Sequence, residues 1–194
     1  INFVKQNKDN YSQIFVLWGI TSIYRWEMYS SATDEVEPCL VGRRWPKSPE
    51  LTEQVRYYFR HFFNRDYELE KLGNSVLLVG GYLTNLGIEH LFFNSFQSYN
   101  SKDLQVSHVD NFYNINEPEN DMLSFLCKSA GVSTSVDGLF LNFVAPNMEF
   151  PAHVRELQQQ VLLDRATAHP TVQAHELIAN ELYDYIKEKN NERI

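Results

Sequence analysis

The stretch Gly73-Asn74-Ser75-Val76-Leu77-Leu78-Val79-Gly80-Gly81 decides the fold as read from the sequence alone. Val76–Val79 is a short apolar run bounded by glycine on both sides, the pattern of a fully buried strand. A strand apolar on both faces calls for a sheet covered on both sides, which is the habit of parallel sheets. Gly73-Asn74 then reads as the turn before it and Gly80-Gly81 as its carboxyl end.

Working outward, strand-length apolar runs alternate with longer segments of helical period. Ile14–Trp18 is a strand ending at Gly19, Ser22–Ser31 a short helix, and Leu40-Val41 a second strand ended by Gly42. A helix is announced at Pro49: Ser48 can cap it, Pro49 suits its first turn, and Glu50 and Glu53 favour the positive end of its dipole. Its apolar face is Leu51, Val55, Tyr58, Phe59, Phe62 and Phe63. Beyond Gly81 the pattern predicts a helix over Leu86–Phe96, strands at Leu104–Val109 and Leu139–Val144, and a helix over Glu117–Ala130 between them. Pro146–Pro151 reads as a loop, Ala152–Gln160 as a helix and Val161–Leu163 as a short last strand. The helix Thr171–Lys189 closes the series, with Ala174, Ile178, Leu182 and Ile186 on one stripe. This alternation predicts a three-layer α/β/α domain with a central, mostly parallel sheet, flavodoxin-like in plan, over residues 1–194.

Composition agrees with one domain. The 194 residues are 43% hydrophobic and 22% charged, and a chain of this length can bury roughly 70% of its extended surface. The net charge of −8, with Arg43-Arg44 as the one adjacent basic pair, excludes a nucleic-acid footprint. No apolar run approaches the roughly 20 residues of a bilayer span. Cys39 and Cys127 allow one disulfide, and Asn10-Tyr11-Ser12 fits a glycosylation sequon. Together these lean towards the secretory pathway, with a cytosolic protein holding two buried thiols as the open alternative. Ile1 at the start reads as a processed form, any leader having been removed.

Sites in doubly wound sheets form at the carboxyl edges of strands, which directs attention to Gly19–Ser22, Gly42, Gly80–Asn85 and the segment around His169. His169-Pro170-Thr171, followed by Ala174-His175, Ile178-Ala179, Leu182 and Tyr185-Ile186, resembles the last block of the SGNH, or GDSL, hydrolases. The earlier blocks fall in order: Gly19-Ile20-Thr21-Ser22 after the first strand, Gly42 after the second, Gly81 and Asn85 after Val76–Val79. The departures are Ile20 in place of an acid, two extra residues before Asn85, and Ala166 where an acid is expected, the nearest being Asp164.

The resemblance implies an SGNH-like serine esterase acting on a small or carbohydrate-borne acyl ester, with no cofactor. Ser22, or Thr21 if the spacing is strict, would be the nucleophile, His169 its base and Asp164 the group holding the imidazole tautomer. Gly42, the Ser22 N–H and the Asn85 amide would receive the oxyanion. The rival is a binding or interaction module on the same scaffold that has lost the chemistry, with Ser22 serving as a helix cap. Gly81-Tyr82-Leu83-Thr84-Asn85 also resembles the strand end of isochorismatase-like hydrolases, but Gly87 stands where their cysteine nucleophile would be. A metal site is not expected, since His169 and His175 lack the i, i+4 spacing of paired helix ligands.

Overall fold

A computed structural model of the chain describes residues 6, 10–11, 14–23, 25–30, 34–40, 49–106, 111–133, 152–164 and 169–191. Among these it is a mixed α/β protein with five helices, a two-stranded parallel sheet and an antiparallel hairpin. The elements in chain order are β1 (Phe15–Ile20), β2 (Arg25–Ser30), β3 (Glu35–Leu40), α1 (Pro49–His61), α2 (Arg65–Asn85), β4 (Glu89–Asn94), α3 (Met122–Ser129), α4 (Ala152–Gln159) and α5 (Val172–Asn191).

The segment that opened the sequence reading is not a strand. Val76–Val79 lies inside α2, a helix of 21 residues. Asn64 caps it, its side chain accepting from the N–H groups of Asp66 (3.0 Å) and Tyr67 (3.2 Å). Leu69, Val76 and Leu83 are buried at seven-residue spacing, with Leu72 and Val79 packed beside them, which is one helical stripe. Leu77 and Leu78 point away from it and are exposed. Gly73 is no turn either. A Cβ there would lie 1.9 Å from the Leu104 carbonyl oxygen, so the glycine lets the 101–105 turn lie directly on the helix.

The strand predicted at 76–79 exists one element later. Glu89–Asn94, expected to be helical, is β4, which pairs in parallel with β1 from Phe15↔Glu89 to Ile20↔Asn94. Gly87, at φ +67, stops α2 and turns the chain into it. Single parallel bridges, Phe92↔Phe112 and Asn94↔Asp121, continue the pairing on the other side of β4. Successive β4 side chains go to opposite faces, as strand geometry requires. Phe92 packs with Ile20, Leu69 and Val76, while Leu91 packs with Tyr113, Met122 and Leu182. Both faces of β4 are covered, Leu91 and Phe93 on one and Phe92 between the buried polar residues His90 and Asn94 on the other. A strand covered on both sides is where parallel pairing is expected.

Three further expectations change. Ser22–Ser31, predicted as a helix, contains β2, which forms a hairpin with β3. Leu104 belongs to a turn rather than a strand, and 107–110 lie outside the described residues. Val161–Leu163 makes one antiparallel bridge, Leu163↔Pro170, with Val161 at φ +61. The helices expected at Pro49, Ala152 and Thr171 are present, as is part of the one expected over Glu117–Ala130. Ser48, Val41, Gly42, the Leu139–Val144 strand and the Pro146–Pro151 loop fall outside the described residues.

α3, α4 and α5 share a core of Leu123, Leu126, Cys127, Val154, Leu157 and Ala174, with Phe96 packed against it. Leu182, two turns along α5 from Ala174, instead meets Leu91 near the start of β4. The helix therefore runs antiparallel to the strand, and its amino end lies towards the strand's carboxyl end.

Candidate functional site

β1 delivers Thr21 and Ser22 just beyond its carboxyl end. Thr21 is exposed, and Ser22 is half-buried with its Oγ donating to Gln97 Oε1 at 3.0 Å. The same amide oxygen accepts from the Tyr99 hydroxyl at 2.8 Å, and that hydroxyl accepts from the Ile23 N–H at 3.0 Å. Tyr99 is 1% exposed, so this small network has a fixed root. The meeting follows from register: Ile20 is opposite Asn94, Ser95 donates its N–H to the Ile20 carbonyl (2.9 Å), and both chains leave the sheet together.

Ser22 is among the residues lining a cavity of about 450 Å³ at the end of β1 and beside α2. Its lining is apolar at Ile20, Ile23, Leu72, Val76 and Phe92 and polar at Glu68, Lys71 and Ser75. Glu68 is buried, accepts from the Tyr58 hydroxyl at 3.0 Å and lies 3.7 Å from Lys71 Nζ. Burial, then the hydrogen bond to Glu68 and its charge, push the Tyr58 phenol up to about 12. It stays a neutral donor at ordinary pH.

Behind the cavity floor, β4 ends in a polar knot. The Asn94 amide is fully buried and gives both hydrogens away, to the Tyr99 carbonyl (2.8 Å) and Asn120 Oδ1 (2.7 Å). Asp121 accepts from the Ser124 N–H (3.0 Å), the Ser124 hydroxyl (2.7 Å) and the Ser98 hydroxyl (2.5 Å), capping α3. This knot holds the 95–99 loop on which Gln97 stands.

His169 and Asp164 face each other across the bend between α4 and α5. The Asp164 N–H donates to the His169 carbonyl at 2.8 Å, and Gln158 Nε2 donates to the Asp164 carbonyl at 3.0 Å. Both residues are exposed. Thr171 caps α5, its Oγ1 accepting from the Ala174 N–H at 3.3 Å, so His169-Pro170 does stand just before a helix start. Neither His169 nor Asp164 lines the Ser22 cavity.

Asn85 is not brought to this site. It is the exposed last residue of α2, which leads into the amino end of β4. Ser22 follows the carboxyl end, and five strand steps of about 3.3 Å separate the two edges by roughly 17 Å. Gly81–Asn85, which resembles the isochorismatase-like strand end, is helical and so is not a strand end. Gly42, the other predicted oxyanion group, lies outside the described residues. Cys127 is a free, buried thiol, so the disulfide that Cys39 and Cys127 allow is not formed.

Among the described residues no cluster of His, Cys, Asp or Glu could hold a metal ion, and no helix is long and apolar enough to cross a membrane. No family model, curated protein or solved structure matches the chain. Gln97 and Tyr99 escaped the sequence reading because no motif marks them. Reading 89–94 as a strand would have pointed to the loop at its carboxyl end.

Proposed function

We propose that the chain is an acyl-ester hydrolase of the SGNH type, built as one three-layer α/β/α domain around a mostly parallel sheet. The observation that carries this reading is the position of Ser22, just beyond the carboxyl end of a parallel strand and in the lining of a cavity of about 450 Å³. The direction of α5, whose amino end with His169 lies towards the same end of β4, supports it.

In this reading Ser22 Oγ attacks the carbonyl carbon of a small or carbohydrate-borne acyl ester while His169 takes its proton. The imidazolium returns that proton to the departing alcohol, and water reverses the sequence to free the acid and Ser22. Asp164 steadies the segment carrying His169 through the main-chain bond between them. Purified protein should hydrolyse a short-chain nitrophenyl ester, and Ser22→Ala and His169→Ala should each lower the rate at least about 100-fold. Equal, negligible rates in wild type and both variants would end the reading.

One observation favours a non-catalytic binding module. The Ser22 proton is given to an amide oxygen, which cannot accept it as a base. A ligand-binding protein without turnover would show no labelling of Ser22 by a fluorophosphonate at any pH.

A further inference from the structure

Gln97 is the feature of this site that no motif anticipated. Its Oε1 receives two hydrogen bonds at once, from Ser22 Oγ (3.0 Å) and from Tyr99 Oη (2.8 Å). Tyr99 cannot drift, because it is buried and its hydroxyl also holds the Ile23 N–H. An amide oxygen is an acceptor and not a base at working pH. A serine hydroxyl that donates to it keeps its proton.

We propose that Gln97 is a positioning residue that latches Ser22 in a resting orientation, with Tyr99 as the fixed end of the latch. The proposal rests on the esterase reading of Ser22. Attack requires the Ser22 hydrogen to leave Gln97 Oε1 and turn to His169. Only then can Oγ bond to an acyl carbon while its proton passes to the imidazole. Tyr99 keeps Gln97 Oε1 in place when Ser22 departs, so the latch can re-form after each turnover.

A latch predicts opposite effects from two substitutions at one position. Gln97→Ala removes the acceptor that holds the Ser22 hydrogen. A neutral hydrogen bond of ordinary strength corresponds to a rate gain of about 3- to 10-fold. Gln97→Glu puts a carboxylate oxygen where the amide oxygen was, and a charged acceptor holds the hydroxyl more strongly, so the reaction should slow. A residue that merely supports the fold would give losses in both.

The experiment is the rate of fluorophosphonate labelling of the whole chain, with the labelled residue found by mass spectrometry and Ser22→Ala as the blank. The maximal labelling rate should rise in Gln97→Ala and fall in Gln97→Glu, with half-saturating reagent concentration unchanged. Tyr99→Phe should share part of the gain. Labelling of Ser22 in wild type with Gln97→Ala equal or slower overturns the latch and leaves the esterase standing. Absence of Ser22 labelling in every protein, Gln97→Ala included, overturns both.

Discussion

Substituting alanine at two glycines of α2 tests whether residues 73–81 are helix or strand. At Gly73 the new Cβ would sit 1.9 Å from the Leu104 carbonyl oxygen. That is roughly 1.4 Å closer than the ~3.3 Å at which a carbon ordinarily meets a carbonyl oxygen. The obstacle is main chain, so no side chain can rotate aside, and Leu104 and Val106 are themselves 1% and 2% exposed. Forcing the contact belongs at the upper end of overpacking costs, about 3 kcal/mol, offset by about 1 kcal/mol of helix propensity gained on replacing glycine. The net loss is about 2 kcal/mol, or 4–8 °C of melting temperature for a chain of this size.

Gly81 is the control on the same helix. It is exposed, and a Cβ there would meet nothing within 4 Å. Gly81→Ala should therefore keep only the propensity gain, about 1 kcal/mol, and raise the melting temperature by about 2–4 °C. Thermal and urea melts of both variants against wild type are the assay. A Gly73→Ala protein as stable as wild type would refute the packing of the 101–105 turn on α2. A destabilised Gly81→Ala protein would refute the helix, since glycine would then be serving a turn.

Other expectations follow from buried groups. Cys127 is fully buried, which pushes its thiol up from 9.0 to about 11, so in a Cys39→Ser background Ellman's reagent should react at pH 8 far more slowly than after unfolding in urea. A thiol raised in the folded state supports stability below its unfolded pKa, so urea midpoints should fall between pH 9 and 11, and less so in Cys127→Ala. His153 is buried, its Nε2 has no partner among the described residues, and burial lowers its pKa. The unfolded chain then binds protons first as pH drops below about 6.5, and the melting temperature should fall from there down in wild type but fall less in His153→Leu. Asp121→Ala removes the α3 cap and strands the buried Ser124 hydroxyl, which should cost about 2–4 kcal/mol in urea unfolding.

The helices at Pro49, Ala152 and Thr171 were legible because each carries its own signals. Pro49 suits a first turn, and Leu51 and Val55 are buried one turn apart as predicted. The central error came from a four-residue apolar run, which periodicity cannot assign to helix or strand. The arbitrating evidence lay outside the run, in Leu69, Leu72, Val76, Val79 and Leu83 spaced by three and four. The flanking glycines misled because Gly73 serves a close approach to Leu104, a long-range contact that no local pattern announces. Of the site, Ser22 follows from strand β1, which the apolar run Ile14–Trp18 marks although the strand itself continues through Gly19 to Ile20, whereas Asn85 follows from Val76–Val79, which is helical.

The placement of Ser22 depends on the register of one thinly buried strand. In β1 Ile20 is buried, whereas Phe15, Leu17 and Trp18 keep substantial exposure. A slip of one residue against β4 would turn Ile20 out of the cluster it shares with Phe92 and Val76, giving up about 1.5–3 kcal/mol of burial. It would also oppose a bulkier residue to Phe93 in place of Gly19, where a Cβ already would lie 2.9 Å from the Phe93 ring. Gly19 and Ile20 thus act in the same direction, one by steric fit and one by burial. Ser22 is two residues further along, so the pair that locks the register also fixes where the hydroxyl leaves the sheet. Its meeting with Gln97, three residues past Asn94, is then a consequence of strand pairing rather than of any local motif.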